Sequence, residues 1–259
     1  MTSFQNRANE AGDALPRPRS PFILAAMPEA PVPFSAIPPS ALPGLIQAVA
    51  TRYAGASRYT RHYVRAKLRR DPATEAIVTL ATDLGGFGTV ADLGCGRGQL
   101  SLLLLLTGSA ESVLGLDRNG PALAEARAAA EGLPARFIAT DLATAPLPDC
   151  DTLLLVDVLY QLPPAAQQAL LARMAAAARR RIVIRAFDPG LGWRSRCGFA
   201  MEWLNRAGRG DLRRAAIDPM TLPALRALLE QAGFRVSVTP CWGGMPLPNV
   251  LLLAERGSA

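Results

Sequence analysis

With one histidine and one lysine in 259 residues, the chain has little of what most metal and acid–base centres are built from. Its four cysteines, Cys95, Cys150, Cys197 and Cys241, lie far apart without a C-x-x-C pair. Neither a zinc cluster nor a disulfide framework is therefore expected, no metal is assigned, and a reducing, cytoplasmic setting fits. The apolar runs, Leu102–Leu106 among them, are far too short to cross a bilayer. The apolar piece from Phe22 to Met27 is hemmed in by Pro21 and Pro28, which argues against a secretory signal.

Half of the residues are hydrophobic, which suits a chain that buries one substantial core. The formal net charge is +7, and Lys67 is the only lysine, so arginine carries the excess. A basic balance admits nucleic acid, anionic lipid or acidic carrier-protein partners without choosing among them.

Residues 1–40 hold eight prolines, Pro16 to Pro39, and read as an extended or disordered leader. From Ala41 the pattern turns helical, with Leu42, Leu45, Ile46 and Val49 at helical spacing. A second helix follows from Tyr59 to Arg70, and Asp71-Pro72 starts a third that runs through Leu84. Strand and helix then alternate: strands over Thr89–Leu93, Ser112–Leu116, Ala135–Ala139, Thr152–Val156 and Ile182–Ala186, with helices over Gln99–Thr107, Pro121–Glu131 and Ala165–Arg179. Such alternation predicts a parallel sheet covered by helices on both faces. After a less regular segment come a helix over Leu222–Ala232 and two strands, Phe234–Thr239 and Val250–Ala254.

The first strand runs into Asp92-Leu-Gly94-Cys-Gly96-Arg-Gly98, a strand-to-helix turn whose glycines admit close backbone approach and whose free helix-start amides can meet a polar ligand. Its third glycine comes one residue earlier than in the dinucleotide fingerprint, and an acid precedes the first. Asp117 ends the second strand, 19 residues beyond Gly98; Asp141-Leu142 follows the third and Asp157 ends the fourth. This series resembles the class I S-adenosylmethionine-dependent methyltransferases.

The resemblance implies a doubly wound, seven-stranded α/β sheet, mostly parallel with an antiparallel last strand, over residues 87–256. Helices over 41–86 would form a lid or substrate wall. It implies S-adenosylmethionine as cofactor: Asp92 beside the methionine ammonium, Gly94, Gly96 and Gly98 at the turn, Asp117 on the ribose hydroxyls, Asp141 and Leu142 at adenine, and Asp157 at the fourth motif. Arg185-Ala-Phe-Asp188, Met245-Pro-Leu-Pro-Asn249 and Tyr63-x-x-x-Lys67 are also similar to methyltransferases encoded beside bacterial aryl polyene pigment genes. That likeness implies secondary metabolism and a small acceptor, phenolic and either free or tethered to an acyl carrier protein.

A phenol near its ordinary pKa of about 10 needs help to lose its proton. His62, Tyr63, Tyr160 and Asp188 are the candidates, with Tyr59, His62, Tyr63 and Lys67 spaced to share a helix face. Three other readings stay open. Tyr63-x-x-x-Lys67 matches the dehydrogenase pair but precedes the glycine turn, which argues against an NAD-dependent dehydrogenase. The arginine-rich stretch Arg58–Arg70 keeps an RNA methyltransferase in view, and a non-catalytic, methyltransferase-like binding or regulatory subunit would keep the same fold.

Overall fold

The computed structural model describes residues 39–208 and 217–257, so the leader expected over 1–40 lies, up to residue 38, outside the described residues. A short 3-10 turn, Pro39–Ala41, leads into helix α1 (Leu42–Arg52). Helix α2 (Arg58–Arg70) is capped by Ser57, whose hydroxyl accepts the Thr60 amide at 3.1 Å. Helix α3 (Pro72–Asp83) is capped by Asp71, which accepts the Ala73 amide at 3.0 Å. Both are ordinary helix starts, a short polar side chain on a backbone N–H that lacks a partner within the helix.

Strands β1 (Thr89–Leu93), β2 (Ser112–Asp117), β3 (Ala135–Ala139), β4 (Cys150–Val156) and β5 (Ala178–Phe187) pair in parallel. Strands β6 (Phe234–Pro240) and β7 (Asn249–Arg256) complete one sheet in the order β3-β2-β1-β4-β5-β7-β6, with β7 antiparallel to both neighbours. Helices α4 (Gln99–Leu106), α5 (Gly120–Ala129), α6 (Pro164–Ala177), α7 (Trp193–Gly208) and α8 (Leu222–Gln231) follow β1, β2, β4, β5 and α7 in turn. The order reverses between β1 and β4, where an open sheet of this kind leaves a crevice at the carboxyl ends of its strands.

Helix α4 is buried from Ser101 to Leu105, as an apolar helix enclosed on all sides must be. One core unites Ile46, Val49 and Tyr53 of α1, Val64 and Leu68 of α2 and Ile77 of α3 with Leu102–Leu104 of α4 and Val90 of β1. The opposite face of the sheet packs Leu153 and Leu155 against Leu170, Met174, Leu225 and Leu229. The N-terminal helices thus share the core of the sheet and lean over its carboxyl edge.

Two boundaries differ from expectation. The Ala/Arg run at 175–181 favours helix by propensity, yet the chain turns extended at Ala178 because Cys150 and Thr152 pair with Ala178 and Arg181 in the sheet. The segment read as less regular contains α7. Its large apolar side chains face solvent, so the sequence gives no core-facing stripe to read.

Candidate active site

A cavity of about 860 Å³ opens over the carboxyl ends of β1 to β4. That is within the usual range for small-molecule sites, roughly 300–1,000 Å³. Its floor is the glycine turn. Gly94 and Gly96 have φ values of 78° and 56°. A side chain at Gly94 would strike Val158 Cγ2, whereas the space beside Gly96 is empty to 4 Å. The Gly96 amide donates to Asp117 Oδ2 at 2.8 Å, which fixes the carboxylate that ends β2 beside the turn. Asp92 is buried beneath it and accepts the Ser101 hydroxyl at 2.5 Å. Burial pushes its carboxyl up to about 6; the Ser101 bond offsets this only in part, and nearby Asp117 adds to it.

At the end of β3, Asp141 closes its own turn by accepting the Ala143 amide at 2.9 Å, and Leu142 lines the cavity. Arg173 of α6 braces this loop from below, with Nη2 donating to Leu142 O at 2.5 Å and Ala143 O at 3.0 Å and Nη1 to Ala145 O. The residues fit an S-adenosyl cofactor on this structure's own features. The Leu142 amide has no partner among the described residues, and buried Gln99 Oε1 beside the turn also lacks one, an acceptor suited to a donor group. The carboxylates of Asp92, Asp117 and Asp141 border the same cavity and make no ion pair within the described residues.

The α2 side of the cavity is built from charge. Lys67 Nζ meets Asp71 Oδ2 at 2.6 Å and Asp157 Oδ2 at 3.1 Å; Arg185 Nη1 meets the same two oxygens at 3.0 and 2.7 Å. These four groups tie α2, the start of α3, β4 and β5 together. Burial pulls the Lys67 ammonium down, but Asp157 and Asp71 outweigh it and hold it above its ordinary range. Burial likewise pushes Asp71 up, and Arg185 and Lys67 overcome that and keep it below the usual carboxylate range. Asp157, expected at the cofactor, lines the cavity with its carboxylate taken by these two cations. It is also the one non-glycine residue with positive φ, 60°, among those described.

Tyr63 and Tyr160 both line the cavity. His62 does not: it lies two residues, about 200° of helical turn, from buried Thr60 and Val64 and is exposed. Asp188 also lies off the lining, its carboxylate accepting the Gly190 amide at 2.8 Å to form a turn and its carbonyl accepting the Ser195 hydroxyl. Neither reaches the site it was expected to serve. Tyr59 is 67% exposed and stacks on Tyr63 at the rim.

Sequence reasoning missed Arg97, inside the glycine turn. Its carbonyl accepts the Tyr53 hydroxyl at 2.5 Å, its Nε bonds Glu125 at 2.9 Å and Thr60 at 3.1 Å, and its guanidinium lies 5.2 Å from the Tyr63 ring centre. It clamps α1 and α2 to the cofactor turn. Its position within the motif was the only signal.

Residues 90–181 match the family described as a methyltransferase domain. No curated protein sequence matches the chain closely enough to count as a relative. Among solved structures, the chain is similar to magnesium protoporphyrin IX methyltransferase from Synechocystis with bound S-adenosylhomocysteine, at 22% identity and TM-score 0.55 over 84% of this chain and 97% of that one. It also resembles the N-methyltransferase NodS from Bradyrhizobium japonicum (14%, 0.54, 83% and 99%) and an O-methyltransferase family protein from Burkholderia thailandensis (17%, 0.58, 85% and 68%). At these identities the likeness establishes the fold. The chain has the class I methyltransferase fold, and its residues 90–181 match a methyltransferase domain.

Proposed function

We propose that this protein transfers the methyl group of S-adenosylmethionine to a hydroxyl of a small phenolic acceptor, free or carried on an acyl carrier protein. The observation that carries the reading is the junction within one cavity of unpaired carboxylates at the ends of β1, β2 and β3 with a wall that presents Tyr63 and the charge-matched Lys67 of α2. The cofactor, when bound, supplies an electrophilic methyl on a sulfonium centre. Asp117 would hold the ribose hydroxyls, Asp92 the methionine ammonium, and Asp141 with the Leu142 amide the adenine.

Lys67 is the group that answers the acceptor's acidity. Two of its three N–H bonds face Asp71 and Asp157, which leaves one for an acceptor oxygen. A fixed cation beside a phenol favours the phenolate without any histidine base. Tyr63 and Tyr160 line the same cavity and would help orient the acceptor, and orientation supplies roughly 7–11 kcal/mol in well-aligned cases. The motifs shared with the aryl polyene group support a role in secondary metabolism, and four free cysteines support a reducing cytoplasmic setting.

The test is formation of S-adenosylhomocysteine by the purified chain with a panel of phenolic acids, free and carrier-linked. Calorimetric titration of the cofactor runs beside it for wild type and Asp117→Ala. Micromolar cofactor binding lost in the variant, with turnover on a phenol, supports the reading. Cofactor binding with no turnover on any acceptor supports the non-catalytic alternative.

A further inference from the structure

We infer that Glu202 of α7 decides which acceptors fit the cavity. It takes those that carry a hydrogen-bond donor, hydroxyl or ammonium, at the end away from the reacting oxygen, and turns away those that carry a free carboxylate there. The inference rests on the proposed methyl transfer to a phenol and narrows its substrate.

Helix α7 is held by its inward face. The Ser195 hydroxyl donates to Asp188 O at 2.8 Å and accepts the Leu191 amide at 2.9 Å, and a side chain at Gly198 would strike Phe187 and Pro248. Glu202 stands on the same face, four residues beyond Gly198, and lines the cavity. Phe199 packs on Phe187 with ring centres 4.8 Å apart, and Phe187 on Tyr160 at 5.9 Å. Tyr160 lines the cavity too, so this aromatic row sets Glu202, one helical turn past Phe199, on the side of β5 rather than at the glycine turn.

The placement of that acid is not explained by stability. Trp193, Trp203 and Leu204 are 60%, 62% and 60% exposed, whereas the one acid of the helix is half-buried against the cavity. The opposite arrangement would bury more apolar surface, and a local rule broken in this way is expected where a side chain meets a ligand.

Charge selects what the ligand brings. Glu202 has no ion-pair partner among the described residues. Of the cations on the cavity lining, Lys67 is held by Asp71 and Asp157 and Arg97 by Glu125. Arg118 follows Asp117 at the end of β2, separated from β5 by β1 and β4. A carboxylate brought to the α7 wall therefore meets a like charge and no unpaired cation among the described residues there, while a hydroxyl or ammonium gains a charge-assisted hydrogen bond. At a half-buried position each effect is on the scale of about tenfold. Lys67 takes the reacting oxygen, so Glu202 acts on the other end of the acceptor and on KM rather than kcat.

Four probes built on one phenol test this: tyramine, tyrosol, p-hydroxyphenylpropionate and the methyl ester of that acid. They are titrated calorimetrically into wild type and Glu202→Gln saturated with S-adenosylhomocysteine, and assayed for methyl transfer. Wild type should bind tyramine and tyrosol tighter than the ester, tyramine by about tenfold, and the propionate about tenfold weaker than the ester. Glu202→Gln should bring all four to within about threefold, weakening the two donors and strengthening the propionate, with the change in KM and not in kcat. A merely structural role for Glu202 would move all four alike. Cofactor affinity equal to that of wild type shows that the variant is folded. Propionate bound as tightly as tyramine by wild type, or a discrimination that survives in the variant, overturns the inference and leaves transfer to a phenol standing. Failure of the phenolic reading has a different signature, neither binding nor turnover of any of the four, and it takes this inference with it.

Discussion

Replacing Asp92 with asparagine should make the cofactor-free protein more stable and a worse binder of S-adenosylmethionine. Asp92 is 3% exposed, and burial raises its carboxyl from the ordinary 3.8 to about 6. A shift of that size corresponds to roughly 3 kcal/mol of destabilisation at neutral pH. Between pH of about 4 and 6 the native state holds a proton that the unfolded chain has already lost, so Asp92 lowers stability as pH rises through this window and contributes no further slope above it. Asparagine can still accept the Ser101 hydroxyl and does not ionise. For a chain of this size, about 3 kcal/mol amounts to a melting temperature higher by roughly 6–12 °C at pH 7.5, with little difference near pH 4. Calorimetric melts of the two proteins across that range check it. Cofactor titrations in the same buffers should show affinity weakened roughly 10- to 100-fold in the variant, the value of a charge-assisted hydrogen bond. In wild type the affinity should fall as pH drops below about 6. A variant that melts lower than wild type at pH 7.5 would refute the account of Asp92 as a charge buried for the ligand.

Asp71→Asn keeps the cap on Ala73 but removes one of two carboxylates from the Lys67/Arg185 cluster, and urea melts at pH 7 should show a loss of about 3 kcal/mol, the low end for a broken buried pair because Asp157 remains. Asp71→Ala should lose about 1 kcal/mol more with the cap. The native pKa of Asp71 lies below the unfolded value, so its contribution is present above pH of about 4 and disappears on acidification; the two proteins should converge in stability at low pH. Lys67→Met should leave cofactor affinity unchanged within error while lowering kcat on a phenol about 100-fold, the scale of losing one charge-stabilising donor; equal loss with an acceptor that is already ionised would exclude the role given to Lys67. Arg173→Met removes three bonds to the loop at 142–145 and should weaken cofactor binding about tenfold in titration, with no change in the acceptor KM.

What could be read from the sequence was whatever lies close together in it. The glycine turn, the acids that end β1, β2 and β4, and Asp141 just after β3 each sit within a few residues of a strand whose apolar run gives it away, and β1 and β3 have the expected bounds. The lid cluster could not be read that way: Asp71 and Arg185 meet across 114 residues, and each alone looks like a surface charge. Arg173 is similar, an exposed-type residue in an alanine-rich helix whose carbonyl partners are 28 to 31 residues away. His62 and Asp188 illustrate the opposite error. A chemically suitable side chain at helical or loop spacing was assigned to the pocket, but α2 turns its Thr60, Val64 and Leu68 face inward, and Asp188 is used up by its own turn.

The same division of charge would let one cavity serve both ligands of the proposed reaction. On the cofactor side, Asp92, Asp117 and Asp141 have hydrogen bonds but no ion pair among the described residues, which leaves their carboxylates for a ligand that carries a sulfonium and an ammonium. Toward the lid, two carboxylates are matched by Lys67 and Arg185, so the wall is close to neutral and does not repel an ionised acceptor. Were the lid acids unpaired, the whole pocket would disfavour a phenolate. Were the cofactor acids paired, the positively charged donor would lose its attraction. Arg97, which joins the Tyr53 hydroxyl, Thr60 and Glu125 to the turn between Gly96 and Gly98, holds the two halves in register. The packing of α1 and α2 and the shape of the cofactor turn are therefore coupled through one side chain, and a variant that frees Arg97 should loosen both together.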